Sequence, residues 1–161
     1  MAFKYTINSN TETIDFQQVA ELLEKVGLVK TVDADLQEKV FRNSDETIFV
    51  KDGDRIIGVG RALSDGIAQA AIYNIAVDPD YQRQQVGHTI ISLLLDRLRG
   101  LNIILYTHPK TLRLYEKYGF RRNKTAFANF QAVDQEGFQW MEDEGFFLPE
   151  HFRFDDEKGR Y

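Results

Sequence analysis

Apolar residues recur along this chain with two periods, and the points where the period switches divide it into elements. Asp15–Val26 carries Phe16, Val19, Ala20, Leu23 and Val26 at helical spacing, so one face of a helix is apolar. Asp15 with Gln18 three residues later makes a capping-box-like start, and Gly27 stands where a C-terminal cap belongs. A second helix is expected over Ala34–Arg42, turning Leu36, Val40 and Phe41 inward. Lys4–Asn8, ahead of both, reads as a short strand. Thr47–Lys51 and Arg55–Leu63 read as strands joined by an Asp52-Gly53 hairpin signal. Ser64-Asp65-Gly66 is a second turn, and Ala68–Val77 the third strand of the meander, stopped at Asp78-Pro79. Helical spacing then returns with Val86, Ile90, Ile91, Leu94, Leu95 and Leu98 on one face, ending at Gly100. Asn102–Thr107 is a continuous apolar run, expected as a strand buried on both sides. A short helix over Thr111–Tyr118 stops at Gly119, and extended structure resumes from Phe120. The order is strand, two helices, three antiparallel strands, helix, strand, helix, strand, which is an α/β class without internal repeats.

The junction from Ile75 to Leu98 carries the chemistry. A strand, a tight polar loop with arginine, glutamines and glycine, and a helix starting near Val86 follow one another without a gap. Such a junction aims unpaired backbone N–H groups and the positive end of a helix dipole at one spot, which suits an anion and most often a phosphate.

Composition narrows the setting. The 161 residues are 43% hydrophobic and 28% charged, as expected of one folded soluble domain. No apolar run approaches the ~20 residues that span a bilayer, so no membrane partner is expected. The N-terminus lacks the apolar core of a signal peptide, and there are no cysteines for disulfides or a thiolate zinc site. A cytoplasmic protein is the simplest expectation. Residues 1–127 hold 17 basic and 16 acidic groups, whereas residues 128–161 hold nine acidic against three basic. That balance lacks the basic footprint of a nucleic-acid binder. With three scattered histidines, a metal site is not expected.

Two motifs and the element order bring in a family. Ile75–Gly87 resembles the strand–loop–helix that holds the pyrophosphate and pantetheine of acetyl-CoA in the GNAT superfamily of N-acetyltransferases. Leu114-Tyr115-Glu116-Lys117-Tyr118-Gly119-Phe120 looks like that family's Leu-Tyr-Glu-Lys-x-Gly-Phe segment near the thioester. The resemblance runs over roughly residues 1–125. Upstream, Asn43-Ser44-Asp45, the hairpin Phe49–Ile57 and Gly60–Gly66 are similar to a branch that includes plastid and cyanobacterial serotonin-type acetyltransferases and many bacterial relatives.

The resemblance implies a GNAT fold over residues 1–127, with a mixed central sheet splayed near its middle and helices on both faces. It implies acetyl-CoA as cosubstrate, held by Ile75, Ala76, Val77, Gln82, Arg83, Gln84, Gln85, Val86, Gly87, His88 and Thr89. It also implies direct transfer to a primary amine, expected to be a small molecule, in a ternary complex. Tyr115 is the candidate acid for the departing thiolate; Asn74 and Tyr73 are the other candidate catalytic residues. The base is open among Tyr73, Asp45, Asp65 and a water chain held by Asn74.

Two positions depart from the family's pattern. Gln85 stands where the first loop glycine is expected, so it either enforces a regular conformation or turns its amide onto the ligand. Asn74 stands where the related branch often has aspartate, and an amide cannot take a proton as a carboxylate does. Both departures favour the alternative of a catalytically weak, CoA-binding regulatory or protein-interaction module. Residues 128–161 form an acidic extension with eight of the chain's 20 aromatic residues, a content that argues for packing. The extension is expected to dock beside the acceptor cleft or at a homodimer interface.

Overall fold

The computed structural model describes residues 2–157. They divide into two units, one ending at Leu105 and the other beginning at Tyr106. The first unit runs β1 (Thr6–Asn8), α1 (Phe16–Lys25), α2 (Ala34–Arg42), β2 (Glu46–Asp52), β3 (Arg55–Ser64), β4 (Gln69–Val77), α3 (Val86–Arg97) and β5 (Asn102–Ile104). The strands lie in sequence order in one sheet, antiparallel except for the parallel β4–β5 pair. This is the mixed sheet flanked by helices that the sequence led us to expect.

The hydrophobic alternation decides which helix covers which face. Phe49, Val59 and Ala76, cross-strand neighbours in β2, β3 and β4, point to one side and meet Phe16, Val19, Leu22 and Leu23 of α1 and Phe41 of α2. The rings of Phe16, Phe41 and Phe49 lie 5.4–6.2 Å apart at the centre of this layer. The opposite face carries Gly58 and Gly60, and α3 lies directly on them. A Cβ at Gly60 would sit 2.5 Å from Ile90 Cγ2, and one at Gly58 only 2.7 Å from Val86 Cγ1. Helix and strand therefore approach more closely than any side chain at these two positions allows.

Helix ends follow their caps, with adjustments. The Asp15 carboxylate accepts the Gln17 N–H at 3.0 Å, and Gly27 takes a left-handed φ of 79° after α1. Gln18 returns to the cap through the Asp15 carboxylate, to which its Nε2 donates at 3.3 Å. The same amide spans to the β2–β3 hairpin, donating to the Asp54 carbonyl at 3.1 Å and accepting from the Ile56 N–H at 2.8 Å. In α2 the buried stripe includes Gln37 and Phe41, which leaves Leu36 on the outer side at 52% exposed rather than inward.

Two strand expectations need correction. β5 covers only Asn102–Ile104, pairs only with Gln69–Ala71 and leaves Ile104 62% exposed, so it is an edge strand and not one buried on both sides. From Ile72 to Val77, β4 runs on with no strand beside it on that side among the described residues, and the sheet opens there. The extended run expected from Phe120 is also absent: between α4 (Leu112–Glu116) and α5 (Gln135–Asp143) the described chain forms turns and irregular backbone.

In the second unit the tail's aromatics pack on one another and on the start of the unit. Phe130 lies 5.0 Å from Tyr106 and 5.8 Å from Phe147, which stacks on Phe138 at 5.0 Å. His108 sits between Trp140 and Phe146, with Nε2 2.9 Å from Glu144 Oε2.

Overpacking one glycine tests the helix–strand approach. We expect Gly60→Ala to lower stability by about 1–3 kcal/mol, since Ile90 must leave its rotamer or α3 must move. Urea unfolding followed by circular dichroism measures this, and an unshifted midpoint would show that α3 has slack at this position.

Candidate active site

β4 is irregular where the sheet opens. Val59 pairs with Ala76 and Arg61 with Tyr73, so Gly60 faces both Asn74 and Ile75, and β4 carries a bulge. Asn74 takes a φ of 54° there, a left-handed conformation that asparagine tolerates better than most side chains. Its Oδ1 accepts a hydrogen bond from Arg61 Nε at 2.6 Å. Arg61 in turn reaches Ser44 Oγ at 3.3 Å and lies over the Tyr73 ring at 5.1 Å, while the Ser44 hydroxyl donates to the Val40 carbonyl at 2.8 Å. Arg61 and Ser44 thus brace the bulge.

The other two candidate bases are engaged. The Asp45 carboxylate accepts the Ser64 N–H at 2.7 Å. Asp65 Oδ1 accepts the N–H groups of Ile67, Ala68 and Gln69 at 2.7–3.0 Å, and these bonds, the Ala68 one foremost, hold its carboxyl below the ordinary range. Asp65 is a turn residue and a poor base.

At the far end of β4 the loop is anchored by a charge network. The Asp78 carboxylate, only 6% exposed, takes Lys25 Nζ at 3.1 Å, Arg55 Nη2 at 2.9 Å and its own turn's Asp80 N–H at 3.0 Å. Burial works against its ionisation, but the Asp80 N–H and the two cations outweigh it and hold the carboxyl below its usual range. Arg55 also lies over the Tyr81 ring at 5.1 Å, and Tyr81 donates to Asp52 at 2.7 Å. The Gln84 amide is used locally, accepting from the Tyr5 hydroxyl and donating to the Asp80 carbonyl at 3.4 Å.

Beyond this anchor, Arg83 and Gln85 have φ of 63° and 69°. Left-handed Gln85 runs straight into the right-handed first turn of α3, the alternation that turns successive N–H groups to one side as an anion-binding nest. Gln85 is also the residue before α3, and its side chain makes no capping hydrogen bond to the helix. Gln85 thus enforces no regular conformation; it adopts the conformation expected of the glycine it replaces.

Not all the expected ligand residues offer side chains. Val86 and Ala76 are buried against the core, which limits them to backbone contacts, and Val77 packs on Gly87. Gln82, Arg83, Gln85 and His88 are exposed around the nest, with Thr89 half-buried behind them. In the second unit Tyr115 is half-buried in α4, edge-on to Phe120 at 5.9 Å. Burial raises its phenol above the ordinary range, against a smaller opposing effect of the Thr107 hydroxyl. It therefore stays protonated at neutral pH. Among the described residues, no group of three or more His, Asp or Glu is placed to hold a metal ion.

Residues 15–120 match the sequence model of the Acetyltransferase (GNAT) family. The chain is a GNAT-family acetyltransferase. It is 28% identical over 118 residues to the uncharacterized N-acetyltransferase ycf52 of Porphyra purpurea, covering 70% of this chain and 68% of that one. It is 27% identical over 121 residues to the chloroplastic GCN5-related N-acetyltransferase 1 of Arabidopsis thaliana, covering 72% of this chain and 61% of that protein. Among solved structures, a probable acetyltransferase from Staphylococcus aureus superposes with a TM-score of 0.68 at 24% identity, over 78% of this chain and 96% of that one. That likeness shows the shared fold. The bulged β4 and the nest before α3 both fall inside the part of this GNAT chain that matches the family.

The Asp78 anchor carries a pH signature. Because its folded pKa is depressed, its stabilisation is present above the unfolded value of about 3.9 and disappears as pH falls through the folded pKa. We expect Asp78→Asn to cost about 1–3 kcal/mol at pH 7, the range for hydrogen bonds to charged groups, discounted because Lys25 and Arg55 are each about half exposed. The gap between wild type and variant should close toward pH 3 in thermal melts. A pH-independent gap would contradict the assignment.

Proposed function

We propose that this enzyme transfers the acetyl group of acetyl-CoA to a primary amine, a small molecule, by direct attack in a ternary complex. One observation carries the reading: β4 leads from an open, bulged stretch at Asn74–Val77 directly into a left-handed nest at Arg83–Gln85 and an uncapped helix N-terminus. The nest supplies backbone donors for a pyrophosphate, and the unpaired edge of β4 supplies them along a pantetheine arm. From Asn74 to Val77 the strand spans roughly 10 Å at about 3.3 Å per residue, so the bulge lies within reach of an arm anchored at the nest.

Acetyl-CoA supplies an activated acetyl carbon: as the amine nitrogen bonds to it, the carbon–sulfur bond breaks, the nitrogen loses a proton and the thiolate gains one. The chain's own groups divide that work. Backbone N–H groups near Ile75–Val77 orient and polarise the thioester carbonyl. Tyr115 gives the proton to sulfur, a role supported by its family motif and by a phenol that burial keeps protonated. The absence of cysteine leaves no thiol to carry an acetyl-enzyme. The left-handed φ of Gln85 supports this reading over a binding module without catalysis.

Calorimetric titration with acetyl-CoA and with CoA, followed by thiol release across an amine panel, tests the reading. Micromolar binding with amine-dependent release is expected; absence of binding would overturn it. Tyr115→Phe should lower turnover about a hundredfold, the lower end for a proton donor, at unchanged acetyl-CoA affinity. In the wild type, activity should fall on the alkaline side only above pH 10, the ordinary phenol value, because burial raises the Tyr115 pKa. Undiminished turnover in the variant would remove Tyr115 from the mechanism.

A further inference from the structure

The orientation of the Asn74 amide is fixed by chemistry. A guanidinium has donors only, so the atom 2.6 Å from Arg61 Nε is the amide oxygen, and the NH₂ group is turned away from it. No group in the described protein accepts from that NH₂, and no buried side-chain nitrogen or oxygen lacks a partner. The Asn74 Nδ2 is therefore a donor open to solvent, standing on the bulge of the strand proposed above to hold the acetyl group. Its backbone is held at a φ of 54° opposite Gly60, and the side chain is pinned through Arg61 to Ser44 and Tyr73.

From this geometry we infer that Asn74 Nδ2 donates a hydrogen bond to the thioester carbonyl oxygen of acetyl-CoA, with Arg61 as the residue that positions it. An NH₂ donor cannot remove a proton from an ammonium, so the amide is not the general base, and a thiol sulfur is only a weak acceptor for it. The thioester oxygen is the acceptor that matches it. Arg61 does more than aim the group. A cation hydrogen-bonded to the amide oxygen draws electrons from the nitrogen and makes its N–H a stronger donor. As the amine attacks, negative charge builds on the carbonyl oxygen, and a preorganised donor gains strength at that moment. Asparagine at this position, in place of the related branch's aspartate, is thereby consistent with catalysis: the side chain serves the carbonyl rather than the amine.

The inference rests on the acetyl-CoA reading, and its test separates the two. Acetyl-CoA has the thioester carbonyl and CoA does not, so the ratio of their dissociation constants reports the bond without any knowledge of the acceptor. Wild type should bind acetyl-CoA about two- to tenfold more tightly than CoA, the span of one net hydrogen bond. Asn74→Gly keeps the left-handed conformation and deletes the donor. Asn74→Asp keeps the contact to Arg61 and replaces the donor by an acceptor. Both should bind CoA within about twofold of wild type while losing the preference, and the aspartate should reverse it. Arg61→Lys should retain part of the preference. A wild type with no preference, or variants that keep it, would overturn the role of Asn74 while leaving the acetyl-CoA site standing. A wild type that binds neither ligand would remove both.

Discussion

Gly58 and Gly60 let α3 lie against β3 closer than any side chain would permit, and both ends of the candidate site are tied to that contact. With Val86 seated over Gly58 and Gly87 against Val77, the start of α3 is fixed beside the end of β4. The chain must leave β4 at Asp78 and enter the helix at Val86 within a short loop, and it turns by placing Arg83 and Gln85 in left-handed conformations. The same β3 glycine that receives Ile90 faces the β4 bulge on its other partner. Close packing on one side of β3 and irregular pairing beside it thus meet at one residue.

Charge is used sparingly and locally. The first 127 residues are nearly neutral overall, and Arg83 is the one lysine or arginine between Gln82 and Thr89. In the proposed site, anion binding would fall to oriented backbone N–H groups, which cost no side-chain entropy and are positioned before the ligand arrives. The charged groups that are present serve geometry. Asp78 gathers Lys25 from α1 and Arg55 from β3 onto the root of the loop, and Arg61 fixes Asn74. Acidic residues collect instead in 128–161, where the aromatic contacts supply the packing.

Much of this was readable in the sequence because the deciding signals were local. Asp52-Gly53, Ser64-Asp65-Gly66 and Gly27 mark their turns and caps chemically, and the period of apolar positions distinguishes α1 and α3 from the meander. What was misread depended on neighbours. Asn102–Thr107 is apolar enough for a central strand, but its pairing ends after three residues and it lies at an edge. Leu36 looked like core because composition cannot show the phase of a nine-residue helix; the buried stripe took Gln37 instead. Arg61 lies 13 residues from Asn74 and 17 from Ser44, so no spacing rule linked the three. The left-handed φ of Gln85 was visible only as a vacancy for glycine, and its side chain gave no hint that it would comply.

The central claim is that the bulge of β4 and the nest before α3 form one acetyl-CoA site. Amide hydrogen exchange of the full chain, with and without saturating acetyl-CoA, tests this most directly, because exchange slows where backbone N–H groups gain a ligand acceptor. The account predicts slowed exchange in two stretches together, Asn74–Val77 and Arg83–Thr89, while the Asp65 turn is unaffected. Protection confined to other segments, or at the loop without the bulge, would contradict it.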